Sequence, residues 1–434
     1  MKKPDSLTAI RRRTRIMRAR IVTYTLLLLW LCDYFIVQPA KITVEELPPP
    51  EPGLTSLTQR LQDHVHFLAS EKLQGRAPGT PGNSAAAKYL LDQFEKIGLV
   101  SPTPTGQRTQ SLPKNLGKNI FSALPRPQPG RGWILIGAHF DHLGRMDGKD
   151  YPGADDNASG AAILLETARR LVQSGPLREY NLLFVGFNTE ESPYFLTYLM
   201  GSHQFYQKLA VTGIDPKTLR LAIIMDIMGG IFWEPMADTL FVMGAEKSPG
   251  LGPLVRSTTV SRLNIRTLGM AMIENVPSTG GMIFSDYQVF RAHNIPFLFL
   301  SSGRTPDYHR PTDTPEKLNY PRMARTVHWL SRLIQQLDRH PGRWVYQRRR
   351  ETLEEDYRAI APYIRLASQW INRIPQTGWI TLYRLKQDQE RMESIQAKIQ
   401  LGQKLGPNDA RALQHASIRI QCLLGQMGPC FLLP

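Results

Sequence analysis

The sequence predicts an α/β fold: a three-layer sandwich on a central mixed, mostly parallel sheet, with one membrane helix before it and a helical carboxyl-terminal extension after it. Three observations carry this. Runs that are apolar throughout recur at 133–138, 181–187, 221–228, 239–245 and 295–302, each bounded by Gly, Pro or Asn; strands apolar on both faces must be covered on both. Helical spacing lies between or after them, at 158–174, 199–210, 249–262 and 321–338. The composition, 42% hydrophobic and 21% charged over 434 residues with three cysteines, is that of a globular chain long enough to bury its own core. Disorder, a collagenous chain and a disulfide scaffold are excluded.

From the amino terminus, residues 1–20 carry eight basic residues against Asp5 and form a basic tail. Residues 21–37 (IVTYTLLLLWLCDYFIV) are apolar but for a few polar residues and Asp33, at the lower length limit of a spanning helix. The positive flank predicts a cytoplasmic amino terminus and a single-pass anchor, with the remainder periplasmic or extracellular. A cleaved signal peptide is the rival, disfavoured by Gln38-Pro39 before Ala40. Residues 38–53 hold five prolines and read as an extended spacer. Helices follow through Leu57, Leu61, His64 and Leu68, and from about 83 to 97, where Gly98 ends the second.

The net charge of +16 suggests a nucleic-acid partner, but the excess sits at the ends. Besides the tail, residues 341–434 carry fourteen basic against eight acidic residues, which leaves 21–340 nearly neutral. No nucleic-acid partner is expected. The 341–434 region reads as helices around 350–373, 380–402 and 409–425, the last two as a hairpin with Ile395, Ile399, Leu413 and Ile420 in its seam. Cys422 and Cys430 either pair or are buried thiols.

Ligands in such sheets bind beyond the carboxyl ends of the strands, and four of these ends carry metal-type residues. His139-Phe140-Asp141-His142 follows the first run, Glu190-Glu191 the second and Asp226 the third, while Tyr308-His309 comes soon after the fifth. Between the first and second lies GADDNASG (153–160), which displays Asp155 and Asp156. Histidine nitrogen with carboxylate oxygen suits zinc, with cobalt or manganese as substitutes. Asp156, Glu190, Glu191 and Asp226 on one sheet edge would repel unless cations compensated them, and two divalent ions supply about +4. A tandem Glu190-Glu191 can then give one ligand and one general base.

GAHFDHLG, PGADDNASGAAILLE, NTEESPYFLTYLMGS, MDIMGG and YHRPTDTPEKLNY, in this order, resemble the co-catalytic di-zinc aminopeptidase family of the zinc exopeptidase superfamily, which includes glutamate carboxypeptidase and glutaminyl cyclase. HVHFLASEKLQGRAPGTPGNSAAAKYLLDQFEKIGL (64–99) is similar to the amino-terminal segment of bacterial members, so the resemblance covers about 54–340. It implies that His139 and Asp226 are terminal ligands of one zinc, Glu191 and His309 of the other, and that Asp156 bridges them. Asp156 is chosen over Asp155 because the family's bridging aspartate stands three residues before the Ser-Gly that here is Ser159-Gly160; the Asp156-Asn157 peptide should then be cis. Glu190 would be the general base acting on a metal-bridging water, and Asp141 would orient the His139 imidazole. The implied activity is that of a membrane-anchored aminopeptidase with a peptide substrate.

Departures from the family pattern are informative. Tyr287 stands where related sequences have histidine after Ser-Asp, and Tyr308 stands where glutaminyl cyclases have tryptophan. The protease-associated insert of some relatives is absent, since only about thirty residues separate Leu99 from Trp133. His142 and His203 read as supporting rather than ligating residues, and residues 275–284, rich in Gly and Ser, as a wall or lid. Carboxypeptidase or cyclase activity on the same scaffold, or a non-catalytic receptor or scaffold, are the alternatives; the last should have lost ligands or Glu190, and none is missing. The oligomeric state is left open.

Overall fold

A computed structural model describes residues 54–103, 105–273, 285–342, 344–348, 352–369 and 379–425. Contacts divide the chain so that one compact unit spans Glu46–Ala359 and a helical unit begins at Ile360.

The first unit starts with α1 (Thr55–Leu68) and α2 (Pro81–Ile97). Thr80 accepts a hydrogen bond from the Asn83 amide, Pro81 fills the first turn, and the chain leaves α2 through Gly98 at φ 91°, so local chemistry fixes both ends of that helix. There follow β1 (Thr109–Ser111), β2 (Lys118–Ala123), β3 (Gly132–His139), a small hairpin of β4 (Gly144–Met146) and β5 (Lys149–Tyr151), and α3 (Gly160–Ser174). Next come β6 (Tyr180–Phe187), α4 (Gly201–Gln207), β7 (Leu219–Met225), β8 (Thr239–Met243), α5 (Leu251–Ser257), β9 (Asn264–Leu268), α6 (Tyr287–Ala292), β10 (Phe297–Ser301) and α7 (Tyr320–Arg339).

Eight strands form one sheet in the order β1-β2-β6-β3-β7-β10-β8-β9. Its centre, β6-β3-β7-β10, is parallel; β1, β2 and β8 add the antiparallel pairings. The mixed, mostly parallel sheet is therefore as expected. All of β6, and β3 from Trp133 on, are buried, because helices cover both faces. Alternate side chains sort by face: Ile134, Ile136, Leu221 and Ile223 join the core with α1, α3 and α7. On the other face Phe121 and Phe187 both pack edge-on to Phe205 of α4, and Tyr287 stacks on Phe297.

The second unit holds α9 (Trp379–Gln400) and α10 (Pro407–Gly425), preceded by α8 (Leu353–Gln369). Asp388 pairs with Arg419 and Lys398 with Asp409, each at 2.6 Å, so partners run in opposite directions along an antiparallel hairpin. Its seam includes Ile395, Leu413 and Ile420 as expected. Ile399 is only half-buried, and Leu385, Asp388 and Met392 complete the buried stripe instead, because the face turns around the buried Asp388–Arg419 pair. Cys422 is disulfide-bonded; Cys430 lies outside the described residues.

The expectation of a membrane-anchored, single-pass protein is corrected. Among the described residues no helix is long and apolar enough to cross a membrane. The two longest, α7 and α9 with 20 and 22 residues, are interrupted by charges such as Arg322, Arg325, Arg332, Lys386, Asp388 and Glu393, whose burial in hydrocarbon costs roughly 2.5 to 3.5 kcal/mol each. The 1–20 tail, the 21–37 stretch on which the expectation rested, the 38–53 spacer and the 275–284 loop lie outside the described residues.

Candidate active site

The site lies along the carboxyl ends of the parallel strands. His139 is the last residue of β3, Glu190 and Glu191 follow β6, and Asp226 follows β7. Sharp turns aim these residues at one place: Thr189, Ile227 and His309 have φ of 57°, 56° and 55°. This left-handed conformation is costly for residues with a Cβ, most of all for a β-branched Ile or Thr.

The sequence-predicted ligands come together in two groups that share Asp156. The His139 Nε2 atom lies 3.3 Å from Asp156 Oδ1 and 3.3 Å from Asp226 Oδ1. The other oxygen, Asp156 Oδ2, lies 3.1 Å from His309 Nε2, which is also 3.2 Å from Glu191 Oε2. The neighbouring Asp155 turns away: its Oδ1 accepts hydrogen bonds from the Gly229 amide and the Ser159 hydroxyl. The Asp156-Asn157 peptide is cis, as expected.

His142 is closer to this centre than its reading as a supporting residue implied. It is fully buried, and its Nδ1 lies 2.7 Å from Glu191 Oε1 and 3.9 Å from Asp156 Oδ2. His142, Asp156 and Glu191 form a group that can hold a cation, as do His139, Asp156 and Asp226. His203 instead contacts Gln207 on α4. The Asp141 Oδ1 atom lies 3.6 Å from His139 Nδ1, and the two carboxylate oxygens accept the backbone N–H groups of Glu190 and Glu191. One carboxylate thus faces the ring on β3 and holds the backbone of the tandem glutamates after β6.

The electrostatics fit a cation. Burial works against charge on His139 and His309, yet the facing carboxylates outweigh it, raising His139 well above its usual value and His309 to about 10. Burial, with repulsion from Asp226, Glu191 and Asp286, pushes Glu190 well above the carboxylate range. Without a bound cation the crowded carboxylates favour protons on the histidines and on Glu190. Moreover, His309 Nε2 touches two carboxylate oxygens without the alignment of a hydrogen bond to either. Nitrogen and oxygen donors converging in this way suit zinc.

Four further residues were not singled out from the sequence. Arg76 is fully buried and grips backbone carbonyls: those of Phe140, Gly153 and Asp156 at 2.6, 2.6 and 3.3 Å, that of Leu68, and that of Pro152. Asp313 accepts the N–H groups of Asp155 and Asp156 at 2.8 and 3.1 Å. The loop that presents Asp156 is therefore held by its carbonyls from one side and by its amides from the other. At Gly153, φ is 58° and a Cβ would fall 2.3 Å from Asp156 O and 2.4 Å from the His142 ring. Arg322, also buried, donates to the carbonyls of Met228 and Gly230 beyond Asp226. Asp286 is fully buried near His139, Asp141 and Asp226, and burial pushes it up to about 7. Tyr287, the departure noted in the sequence, packs between Phe297 and Phe299 in the core.

Comparison with known proteins agrees with this geometry. Residues 119–334 match peptidase family M28. The uncharacterized Escherichia coli K12 protein YfbL is 29% identical over 294 residues, covering 62% of this chain and 85% of YfbL. A glutaminyl-peptide cyclotransferase of Bothrops jararaca is 26% identical, covering 65% and 80%. Among solved structures, LapB from Legionella pneumophila superposes with a TM-score of 0.51 at 19% identity, covering 70% of this chain and 78% of LapB, a likeness of fold. The matched stretch contains His139, Asp156, Glu191, Asp226 and His309, all the residues first expected to face a metal, and the chain belongs to peptidase family M28.

Proposed function

We propose that the protein is an aminopeptidase that holds two zinc ions and removes amino-terminal residues from peptides. The supporting observation is the shared carboxylate: Asp156 faces His139 and Asp226 with one oxygen and the His309, His142 and Glu191 group with the other. In this reading His139 and Asp226 would hold one ion, Glu191 and His309 the other with His142 beside them, and Asp156 would serve both. Such ions, when bound, polarise a carbonyl oxygen and lower the pKa of water. Glu190 is left without a place in either group, 3.9 Å from His139 Nε2. Its carboxylate takes the proton of the attacking water and returns it to the leaving amine. Asp141 keeps His139 and the Glu190 backbone in register.

The likeness to a glutaminyl-peptide cyclotransferase supports cyclisation as the second reading. Metal content, release of the first residue from aminoacyl amides, and pyroglutamate formation from glutaminyl peptides should be measured for the wild type and Glu190→Gln. The expected outcome is about two zinc per chain in both, with amide hydrolysis at least about a thousandfold slower in the variant. Pyroglutamate formation without hydrolysis would replace this reading by the second, and a folded protein free of metal would remove both.

A further inference from the structure

The mouth of the site shows what it selects. The side chains of His139, Asp156, Glu190, Glu191 and Asp226 are at most 11% exposed, whereas that of His309 is 33% exposed, so the cluster opens to solvent past His309. The Tyr308 ring stacks on the His309 ring at 3.9 Å and 17°. Since His309 covers one face of Tyr308, the Arg304 guanidinium, 4.3 Å over the same ring, lies on the other face. Arginine, tyrosine and histidine thus form a column that ends at a candidate metal ligand.

A guanidinium held over an aromatic ring by a cation–π contact keeps its fork of N–H donors available, and that fork can meet a carboxylate with two bonds. Among the described residues the structure records no hydrogen bond or ion pair for Arg304; its recorded contact is the Tyr308 ring. The buried arginines behind the site, Arg76 and Arg322, are committed to backbone carbonyls. A substrate carboxylate therefore finds an uncommitted guanidinium at the mouth.

We propose that Arg304 is a carboxylate-recognition subsite, so that favoured substrates are short peptides with a carboxylate downstream of the scissile bond. This rests on the peptidase reading. The carboxylate is either the free carboxyl terminus of a di- or tripeptide or an Asp or Glu side chain.

The test uses uncleavable reduced-amide dipeptides on the zinc-loaded full chain, with binding read by calorimetry. One pair compares Leu-Leu acid with Leu-Leu amide, the other Leu-Glu amide with Leu-Gln amide. The wild type should prefer the carboxylate in at least one pair by about tenfold, the size of one charge-assisted hydrogen bond. The pair that shows it identifies the source. Arg304→Gln should abolish that preference by weakening the carboxylate ligand, and Arg304→Lys should keep part of it. The proposal is overturned if the wild type shows no preference, if Arg304→Gln retains it, or if Arg304→Gln weakens acid and amide ligands equally, the mark of an arginine that only props Tyr308 against His309. Binding is read without turnover, so failure of the peptidase reading appears separately, as no hydrolysis of the cleavable parent peptides.

Discussion

At the scale of single residues, the site is held mainly by charged side chains bonded to backbone rather than to one another. Arg76 and Arg322 donate to carbonyls of loops that follow ligand-bearing strands, and Asp141, Asp155 and Asp313 accept amides of such loops. A side chain that bonds only a partner side chain fixes one atom, whereas these fix the course of the chain. Arg76 is the strongest case. Arg76→Ala would remove a charged donor from five backbone carbonyl groups, and should destabilise by about 3 to 5 kcal/mol, the cost of losing one side of a buried charged network. Arg76→Lys, with three donors on a flexible stem, should recover only part of this and hold zinc less tightly than the wild type. Urea unfolding and zinc titration of both variants decide it; a loss in Arg76→Ala below about 1 kcal/mol would mean that water replaces the guanidinium.

At the scale of elements, three helices are joined by one buried carboxylate. Glu166 of α3 receives Arg60 of α1 at 2.8 Å, His64 of α1 at 3.2 Å and Arg169 at 3.0 Å, and the Tyr89 hydroxyl of α2 lies 2.7 Å from the other His64 nitrogen. Burial opposes ionisation, but the contacts with His64, Arg60 and Arg169 outweigh it and hold Glu166 at about 2. Its folded value lies below the unfolded one of about 4.5, so its contribution is complete above pH 4.5 and lost as pH falls from there towards 2. Because the Arg60 side chain is 40% exposed, about 2 kcal/mol is a fair upper figure. Unfolding free energies between pH 6 and pH 3 should fall more steeply for the wild type than for Glu166→Gln. Parallel curves would sink the argument.

Elements also differ in how far they can be read from sequence. β3, β6, β7, β8 and β10 are legible because a strand buried on both faces must be apolar throughout. β1, β2 and β9 are not: the sheet's end strands β1 and β9 hold polar residues such as Gln110, Asn264 and Arg266, and their pairing is fixed by neighbours distant in sequence. Likewise the helical pattern at 249–262 yields only Leu251–Ser257, since the chain must turn at Thr258 to enter β9.

At the scale of the whole molecule, the catalytic unit carries an acidic centre that cations should stabilise. If zinc binds at a thousandfold above its dissociation constant, it adds about 4 kcal/mol, which for a unit of this size raises Tm by roughly 10 °C. Chelation at neutral pH should therefore lower Tm by several degrees in the wild type and by less in Asp156→Asn, which loses the shared carboxylate charge. An unchanged wild-type Tm on complete zinc removal would show that the cluster is stable without its ions.

The sequence alone determined the sheet's central strands, and with the family resemblance it brought forward His139, Asp141, Asp156, Glu190, Glu191, Asp226 and His309 as candidates, because each stands at the end of an apolar run or in a local motif of few residues. It did not determine what surrounds them. Arg76 lies 63 residues before His139 in a glycine-rich loop and reads as a surface cation, Asp313 as one of several turn residues, and Arg304 as one more arginine in a basic chain. The contacts of Arg76 and Asp313 follow from folding and not from neighbours in sequence: Arg76 meets carbonyls 64 to 80 residues away, and Asp313 meets amides 157 and 158 residues away. Strand ends are encoded locally by hydrophobicity, but burying a charge depends on partners that only the folded chain brings within hydrogen-bonding distance.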